Sequence, residues 1–399
     1  MKKANQSILK DKYAILPIKT LGDVRADIDN ANGVEIPSNI GDDFHVYVSD
    51  ATDPSASSIV GFRDGDIWYN KEGEEITDPG VLHSTTVPQP WLVDPNKNNV
   101  FRDLNSESFT DYEPQVNISP RIAFSFPISD EALFFAHYDV LTQRPSGGVN
   151  RLDLISYLAF DEGGNNLFGN AFNNPNLKAE QTIDYELGFQ QKLDNYSSLK
   201  LAAFYRENRN QVQRTQVIGA FPGDYQTYGN RDFGTTKGLT VTYDLRTRGN
   251  ITLRANYTLQ FADGTGSGTN SAGGLVNAGF GNLRTLTPLN VDQRHAIQLA
   301  ADYRYGEKKN YQGPVLWGKN ILQNTGVNLT MRAGSGSPYT KRSRVSGNQV
   351  FINGAGQGNN AQEGQINSSR LPFTTTFDLK IDRNIEFTVI INNDTLYTI

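Results

Sequence analysis

The sequence predicts an all-β protein, an antiparallel transmembrane β-barrel of which about ten or more strands are visible. Three observations predict this class. Apolar and polar residues alternate with a period of two, the alternating runs are long, and short connections alternate with long ones along the chain. No stretch approaches the roughly 18 consecutive apolar residues of a membrane helix, so a helical membrane protein is excluded.

The alternation places one face of each strand in an apolar medium and leaves the other face wet. Between Ile251 and Phe261, for example, apolar residues occupy every second position. No comparable run has a period of 3.6 residues. Several runs approach the roughly 9–11 residues of a transmembrane strand. The pattern of apolar and polar residues within a run, however, is the same in a barrel and in a sandwich. Strands are predicted at 117–126, 131–140, 182–191, 199–207, 238–246, 250–261, 294–304, 324–332, 374–382 and 384–391.

The connection lengths favour the barrel over the sandwich. Short turns rich in turn-forming residues occur at 127–130, 194–198 and 248–250. Outer-membrane barrels alternate short periplasmic turns with long extracellular loops, whereas a Greek-key sandwich has no reason to do so. One connection, at 305–323, is longer than a periplasmic turn should be. The predicted long loops are 141–181, 208–237, 262–293 and 334–373.

Composition excludes several functional classes. The chain has 399 residues, a net charge of −6 and no cysteine, so disulfides, thiolate metal sites and a cysteine nucleophile are excluded. Its 21 Phe and 18 Tyr are too many for a disordered chain. The acidic balance argues against a nucleic-acid partner. No cofactor and no membrane-targeting helix is predicted.

The N-terminus predicts no signal peptide. Met1-Lys2-Lys3 resembles the charged start of a secretory signal, but the following residues form no apolar segment and no small-residue cleavage site. Two interpretations stay open at this point. Either the protein is cytoplasmic, or the chain lacks its natural beginning.

No catalytic motif is present, and no catalytic residue is predicted. Asp64 and Asp66 are weak candidates for a Ca²⁺ site, because carboxylate oxygens suit this ion. A solvated acidic loop explains them as well and is the simpler interpretation. The histidines lie far apart in the sequence, at His45, His83, His137 and His295.

Three aromatic residues in the first hundred positions are candidate ligand contacts. Trp68, Tyr69 and Trp91 occur in a loop-rich region and could stack on a sugar or a peptide. Equally, they could anchor this region against the mouth of a barrel.

A loop-to-strand motif points to a family. Asn174-Pro175-Asn176-Leu177-Lys178-Ala179-Glu180 leads into Tyr185-Glu186-Leu187-Gly188. This run resembles the corresponding motif of TonB-dependent outer-membrane receptors, and Pro120-Arg121 and Arg144-Pro145 resemble the same family. The closest resemblance is to the Bacteroidetes receptors of the SusC and Oar type. The signature residues are Pro120, Arg121, Arg144, Pro145, Asn174, Pro175, Leu177, Glu180, Tyr185, Glu186 and Gly188.

The resemblance implies a fragment of a larger receptor. Such a barrel has about 22 strands. It is preceded by a signal peptide, often by a carboxypeptidase regulatory-like domain, and then by a TonB box and a plug. None has a counterpart here, nor do the last strands. We expect a loop-rich early segment over 1–116, barrel hairpins over 117–391 and a truncated or atypical tail over 392–399.

Three functions are compatible with these observations. The resemblance implies an outer-membrane transporter that imports a bulky nutrient, with the plug, the remaining strands, the TonB complex and outer-membrane lipid as partners, and it allows a surface lipoprotein lid. The alternatives are a soluble β-rich module that binds or cleaves carbohydrate, and a structural outer-membrane protein with an open lumen. The importer is the preferred hypothesis.

Overall fold

The computed structural model describes most of the chain. His83 and much of the predicted long loops, namely 152–170, 278–283 and 344–360, lie outside the described residues. The structure describes residues 7–14, 16–31, 33–82, 88–94, 108–111, 114–151, 171–221, 223–277, 284–307, 310–343, 361–385, 388–391 and 395–398.

The described residues form mostly β-structure. The strands, numbered in chain order, are β1 Ser7–Leu9, β2 His45–Val48, β3 Ile59–Asp64, β4 Ile67–Asn70, β5 Glu75–Ile76, β6 Gln89–Pro90, β7 Phe109–Asp111, β8 Arg121–Ser129, β9 Ala132–Gln143, β10 Glu180–Lys192, β11 Ser197–Val217, β12 Tyr225–Arg248, β13 Ile251–Gly264, β14 Thr287–Pro288, β15 His295–Arg304, β16 Val315–Leu316, β17 Lys319–Asn320, β18 Thr325–Gly334, β19 Pro338–Tyr339, β20 Arg342–Ser343, β21 Ala361–Gln362, β22 Ser369–Arg370, β23 Thr374–Arg383, β24 Thr388–Ile391 and β25 Thr395–Thr398. The helices are α1 Leu21–Asp29 and α2 Gly273–Asn277, and single 3₁₀ turns cover Ala56–Ser58 and Pro79–Leu82.

Helices are a minor part of the described chain. None of those described is long and apolar enough to cross a membrane.

One large antiparallel sheet dominates the molecule. Its nine main strands, β8, β9, β10, β11, β12, β13, β15, β18 and β23, are hydrogen-bonded in chain order, and β14 pairs with the end of β13. This meander confirms the nine strands predicted between residues 117 and 382. Among the described strands, β8 and β23 each pair on one side only, so the sheet is not closed and corresponds to part of a barrel.

The register brings the apolar residues of all nine strands onto one face. Leu239 pairs with Leu259 across β12 and β13, and Leu299 pairs with Met331 across β15 and β18. Leu187, in the middle of β10, is 56% exposed on this face. A continuous exposed apolar surface of this kind is what a barrel presents to lipid.

Tyrosines cluster on this apolar face towards both ends of the sheet. Tyr185 lies between Tyr138 and Tyr205, with ring centroids 5.2 Å and 6.1 Å apart. Near the opposite end, the Tyr303 and Tyr305 rings meet at 5.1 Å. Amphipathic rings at both borders of an apolar band are typical of the two membrane interfaces.

The other face of the sheet is polar and carries cross-strand ion pairs. Three of these pairs join neighbouring strands, and the pair between Asp382 and Arg304 reaches across Gly326 of β18. The pairs are Asp184–Arg206 at 2.8 Å, Glu186–Lys200 at 3.5 Å, Asp244–Arg254 at 2.7 Å and Asp382–Arg304 at 2.9 Å. Each pair contributes little to stability because it is partly solvated, but together the charged groups make this face hydrophilic.

Short connections lie at one end of the sheet, which we call the turn end. Between β10 and β11, the Asp194 carboxylate accepts hydrogen bonds from the backbone N–H groups of Tyr196 and Ser197 at 2.7 Å and 2.8 Å. These bonds hold the pKa of Asp194 below its usual range. Between β12 and β13, Gly249 has a φ of 65°, which a glycine adopts without strain.

The opposite end, the loop end, differs from the prediction at one loop. Residues 208–237 were predicted to form a long loop, and this is wrong. β11 continues to Val217 and β12 begins at Tyr225, so only residues 218–224 connect the two strands. At about 3.4 Å per residue, the 24 residues of β12 span about 80 Å. This hairpin therefore extends far beyond any membrane-spanning band.

Gly188 is required by close packing on the polar face. A Cβ at this position would lie 2.3 Å from the Phe135 ring and 2.6 Å from the Leu201 carbonyl oxygen. The aromatic ring covers the glycine, and Lys200 Nζ lies 4.4 Å from the centre of the same ring.

We therefore expect Gly188→Ala to destabilise the sheet by about 1–3 kcal/mol, the usual cost of overpacking. Gly274→Ala in α2 is the matched control, because no atom lies within 4 Å of the added methyl group. The midpoint of thermal unfolding of each variant is measured from its heat-dependent mobility in gel electrophoresis. Equal midpoints for the two variants would contradict the packing argument.

Candidate functional site

A compact unit formed by residues 11–94 lies at the loop end of the sheet; we call it the N-terminal unit. Its sheet has the order β5-β4-β3-β2-β6. Helix α1 covers this sheet with Leu21, Val24 and Ile28 buried. Helix α1 was not predicted from the sequence, because its nine residues span only about two and a half turns and show little periodicity. Thr20 and Asp23 form a capping box, and this pattern is the signal that could have found the helix.

Arg63 is the central charged residue of the N-terminal unit. It is only 3% exposed, its Nε donates to Tyr47 Oη at 2.9 Å, and Nη1 donates to the Gly65 carbonyl at 2.6 Å. Nη2 pairs with the Asp11 carboxylate. A buried guanidinium needs such partners, because an unpaired charge in the interior is very unfavourable.

Aromatic rings surround the same guanidinium. Its carbon lies 4.7 Å from the Tyr13 ring centre and 5.5 Å from the Trp68 ring centre. Burial raises the pKa of Tyr47 above its usual range, so its hydroxyl keeps its proton. Burial, with Arg63 nearby, lowers the pKa of His45.

The N-terminal unit contacts the connection between β11 and β12 directly. Phe221 N donates to Tyr13 O at 2.8 Å, and Tyr225 Oη donates to Lys12 O at 2.7 Å. Pro79 packs against Gly219, where an added Cβ would lie 2.7 Å from the proline ring. Backbone bonds and ring packing therefore fix the unit on the extended hairpin.

A cavity of about 590 Å³ lies between this unit and the extended hairpin. Its lining combines aromatic rings, amide and hydroxyl groups and charges of both signs. The lining residues are Lys12, Tyr13, Asp66, Trp68, Thr77, Asp78, Pro79, Asn174, Thr215, Gln216, Val217, Ile218, Thr227, Tyr228, Gly229 and Arg231. Most of these residues are polar, so the lining offers many hydrogen-bonding groups beside the rings of Tyr13 and Trp68.

One polar group of the cavity lacks a partner. Gln216 Oε1 is buried and accepts no hydrogen bond within the described protein. The neighbouring Thr227 hydroxyl is already used, because it donates to Phe172 O at 2.9 Å. A buried acceptor left unpaired in this way is unfavourable for the fold.

The signature loop before β10 supports the cavity from the side. Asn174 Nδ2 donates to Tyr228 O at 2.8 Å, which ties the loop to β12. Glu180 Oε1 accepts from Val212 N at 3.0 Å, where the ladder between β11 and β12 is irregular. These two motif residues therefore hold the loop to the extended hairpin.

Other signature residues meet in a smaller cavity of about 290 Å³. It is lined by Pro114, Gln115, Asn117, Arg144, Pro145, Asn150, Pro175, Leu177 and Ala179. Leu177 is 4% exposed, and its carbonyl accepts from Gln115 Nε2 at 3.1 Å. Pro120 precedes β8, and Arg121 stands opposite Asp139 in the ladder. Thus the motif joins both sides of the long loop between β9 and β10.

The structure places the predicted ligand contacts inside the N-terminal unit. Trp68 and Trp91 are each 4% exposed, and Tyr69 is partly buried, with its ring 5.4 Å from Phe44. Trp68 lines the 590 Å³ cavity, whereas Trp91 belongs to the core beneath α1. A role of these residues in ligand contact stays a prediction.

The two candidate Ca²⁺ ligands flank the turn between β3 and β4. Asp66 pairs with Lys12 at 2.5 Å, which lowers the pKa of its carboxyl group, and Asp64 is exposed. In the part of the chain that the structure describes, no three metal-ligating side chains form a cluster.

The residues that order the glycine-rich loop after β13 were not predicted from the sequence. Gln213 and Asp232 are buried on the extended hairpin. Gln213 Nε2 donates to Asp232 Oδ2 and to Ser271 Oγ, both at 2.7 Å, and Thr265 Oγ1 donates to Asp232 Oδ1 at 3.0 Å. The spacing of the predicted strands indicated only that this loop is long.

A comparison with protein families identifies the type of fold. The family model described as TonB dependent receptor-like, beta-barrel matches residues 90–394. No curated protein matches the chain. Members of the matched family are transporters and receptors and not enzymes.

Several solved structures are similar to this chain. The outer membrane transporter YddB from Escherichia coli is 15% identical with a TM-score of 0.43, over 66% of this chain and 34% of that chain. The ferric-catecholate import receptor Fiu from E. coli K12 is 16% identical with a TM-score of 0.40, over 69% and 30%. The FrpB iron transporter from Neisseria meningitidis is 13% identical with a TM-score of 0.39, over 70% and 33%. The matched region spans about a third of each of these proteins.

Replacing Arg63 should disrupt the N-terminal unit. Arg63→Met leaves the Asp11 carboxylate and the Tyr47 hydroxyl without their partner, which typically costs about 3–5 kcal/mol for a buried pair. Arg25→Met is the control, because the Arg25–Asp42 pair is exposed and should cost at most about 1 kcal/mol. Hydrogen exchange of the β2 and β3 amides measures both, and equal protection in the two variants would rule out the central role of Arg63.

Acid should destabilise the N-terminal unit through His45. Its folded pKa lies below the ordinary value of 6.5, so below that pH the unfolded state binds a proton that the folded state resists. Stability is therefore retained above pH 6.5 and lost as the pH falls through the folded pKa. The fluorescence of Trp68 and Trp91 follows unfolding from neutral pH to about pH 5. His45→Gln should weaken the dependence, and an unchanged slope would count against this residue.

Proposed function

The chain belongs to the TonB dependent receptor-like β-barrel family, and from this membership we propose that it forms part of an outer-membrane receptor that binds and imports a bulky nutrient. The nutrient is a glycan, a peptide or a chelate. The observation that carries the proposal is the sheet itself, whose nine long strands present one continuous apolar face and one polar face. Lipid requires the first face, and a wet lumen requires the second.

The orientation follows from the connections. Long loops of outer-membrane barrels are extracellular and short turns are periplasmic. The loop end, with the N-terminal unit and the extended β11–β12 hairpin, therefore faces outward in this proposal. A nutrient arriving from outside meets these elements first.

The cavity of about 590 Å³ is the proposed nutrient contact. Its volume lies within the range of small-molecule sites and fits one portion of a bulky ligand. The many polar side chains of the lining support a ligand that forms hydrogen bonds, such as a sugar hydroxyl or a peptide N–H. Arg231 is exposed at the same cavity and supplies a positive charge.

The remaining parts of the receptor complete the proposal. We infer that further strands pair with the free edges of β8 and β23, because a bare strand edge is not stable in lipid. A plug within the lumen and the TonB complex would provide gating and energy. The motif around 174–188 supports a SusC or Oar type of receptor, and this type accommodates a surface lipoprotein above the loop end.

Single cysteines provide the test, because the chain has no cysteine of its own. Three exposed positions are suitable: Ser57 in the N-terminal unit, Arg231 at the cavity, and Asn195 at the turn end. On intact cells, a membrane-impermeant maleimide should modify Ser57→Cys and Arg231→Cys. It should modify Asn195→Cys only after the outer membrane is permeabilised.

The imported nutrient should slow modification of Arg231→Cys and leave Ser57→Cys unchanged, which makes the second variant the internal control for binding at the cavity. Modification of all three positions on intact cells, or of none before lysis, would refute the orientation. Such a result would favour a soluble β-rich protein instead.

A further inference from the structure

A small hairpin protrudes at the turn end, within the connection between β15 and β18. Its strands β16 and β17 pair Val315 with Asn320 and Leu316 with Lys319. This connection covers 305–324 and is the one that the sequence showed to be longer than a turn needs. The hairpin therefore adds something that joining two strands does not require.

The tip of the hairpin is apolar and fully exposed. Trp317 is 93% exposed, and Val315 and Leu316 beside it are also exposed. Burying one such aromatic side chain gains about 1.5–3 kcal/mol, yet no described part of the chain covers this one. The other two tryptophans, by contrast, are buried.

The backbone at the tip is unusual for tryptophan. Trp317 has a φ of 47° and Gly318 has a φ of 71°, the pattern of a two-residue turn with both central residues left-handed. Asn, Asp or Gly normally occupies the first of these positions, and a bulky residue there is strained. An exposed, strained tryptophan indicates a role outside the folding of the hairpin.

A ladder of tyrosines connects the hairpin to the lipid-facing surface. Tyr303 lies on the apolar face of β15, the Tyr305 ring meets it at 5.1 Å, and the Tyr311 ring lies 5.8 Å from Tyr305. Tyr311 Oη then donates to Pro314 O at 2.7 Å and accepts from Leu322 N at 3.2 Å. These two bonds fix the base of the hairpin at the border of the apolar face.

We propose that the β16–β17 hairpin is an interfacial anchor that inserts Trp317 and Leu316 into the inner leaflet of the outer membrane. Tryptophan prefers the membrane interface, where its ring is shielded and its N–H remains hydrated. Lys319 is exposed beside the tip and suits anionic headgroups. The hairpin extends the apolar face past the end of the sheet and resists vertical movement of the barrel.

A lipid occupant accounts for the position of the tip better than a protein occupant does. The base of the hairpin adjoins the outward tyrosines, and the polar face with its ion pairs lies on the opposite side of the sheet. A contact with a plug would be expected on that polar side. The anchor rests on the proposed function for the orientation of the turn end, but it does not depend on import of a nutrient.

The experiment measures quenching of tryptophan fluorescence by brominated lipids. The full product of the gene is reconstituted in vesicles of phosphatidylethanolamine and phosphatidylglycerol, with bromines either near the headgroups or near the bilayer centre. The signal of Trp317 is the difference between the unmodified protein and Trp317→Asn. Asparagine suits the left-handed position, so this variant should fold at least as well.

Two added tryptophans in the Trp317→Asn background calibrate the depth. Leu187→Trp reports the middle of the apolar face, and Val81→Trp reports an exposed position on the N-terminal unit. We expect Trp317 to be quenched most by bromines near the headgroups, Leu187→Trp most by central bromines, and Val81→Trp by neither.

Three results would overturn the anchor. Quenching of Trp317 by aqueous iodide but not by bromolipids would place the tip in water. Protection from both quenchers would place it against protein. If bromolipids fail to quench Leu187→Trp, the sheet does not face lipid, and the anchor is refuted together with the membrane location. If Leu187→Trp is quenched but Trp317 is not, the anchor alone is refuted.

Discussion

The structure depends on the requirement that every backbone N–H and C=O group in a lipid environment must find a partner on a neighbouring strand. Nine strands meet it through antiparallel ladders in chain order, and the register shifts lie near the ends of the hairpins or on the extended part of β11 and β12. Because paired residues point to the same side, these ladders align the apolar rows of all strands. A register shift of one residue would transfer Leu187 and its row to the wet face and the Asp184 row to lipid. Ion pairs such as Asp184–Arg206 therefore belong to the same constraint.

Beyond the apolar band, different interactions hold the molecule together. The β11–β12 hairpin projects from the sheet and is bounded by the signature loop, the glycine-rich loop and the N-terminal unit. These contacts are hydrogen bonds from side chains to backbone carbonyls and between buried side chains such as Gln213 and Asp232. Arg63 has the same role within the N-terminal unit, since its partners come from several separate segments. The resulting rigid surroundings make a persistent cavity at the loop end possible.

The family motif has a structural explanation in this chain. Gly188 gives the Phe135 ring room on the polar face, Tyr185 lies in the outer row of tyrosines, and Glu180 pairs with an irregular point of the neighbouring hairpin. Leu177 is buried where the long loop returns to the sheet. These residues shape the junction between the strands of the large sheet and the elements at the loop end. The motif is therefore informative about architecture.

The sequence by itself determined the fold class, the nine main strands and the face that each strand presents. The reason is that a strand between lipid and water must alternate in polarity, and this alternation is visible in one dimension. Only the tertiary structure decided the length of the β11–β12 hairpin, because its outer part has no lipid on either side and hence no alternation. It also decided that Trp68 and Trp91 are buried and that Arg63 meets Asp11, which is 52 residues away in the chain. Such contacts depend on how distant segments pack, and no local pattern encodes them.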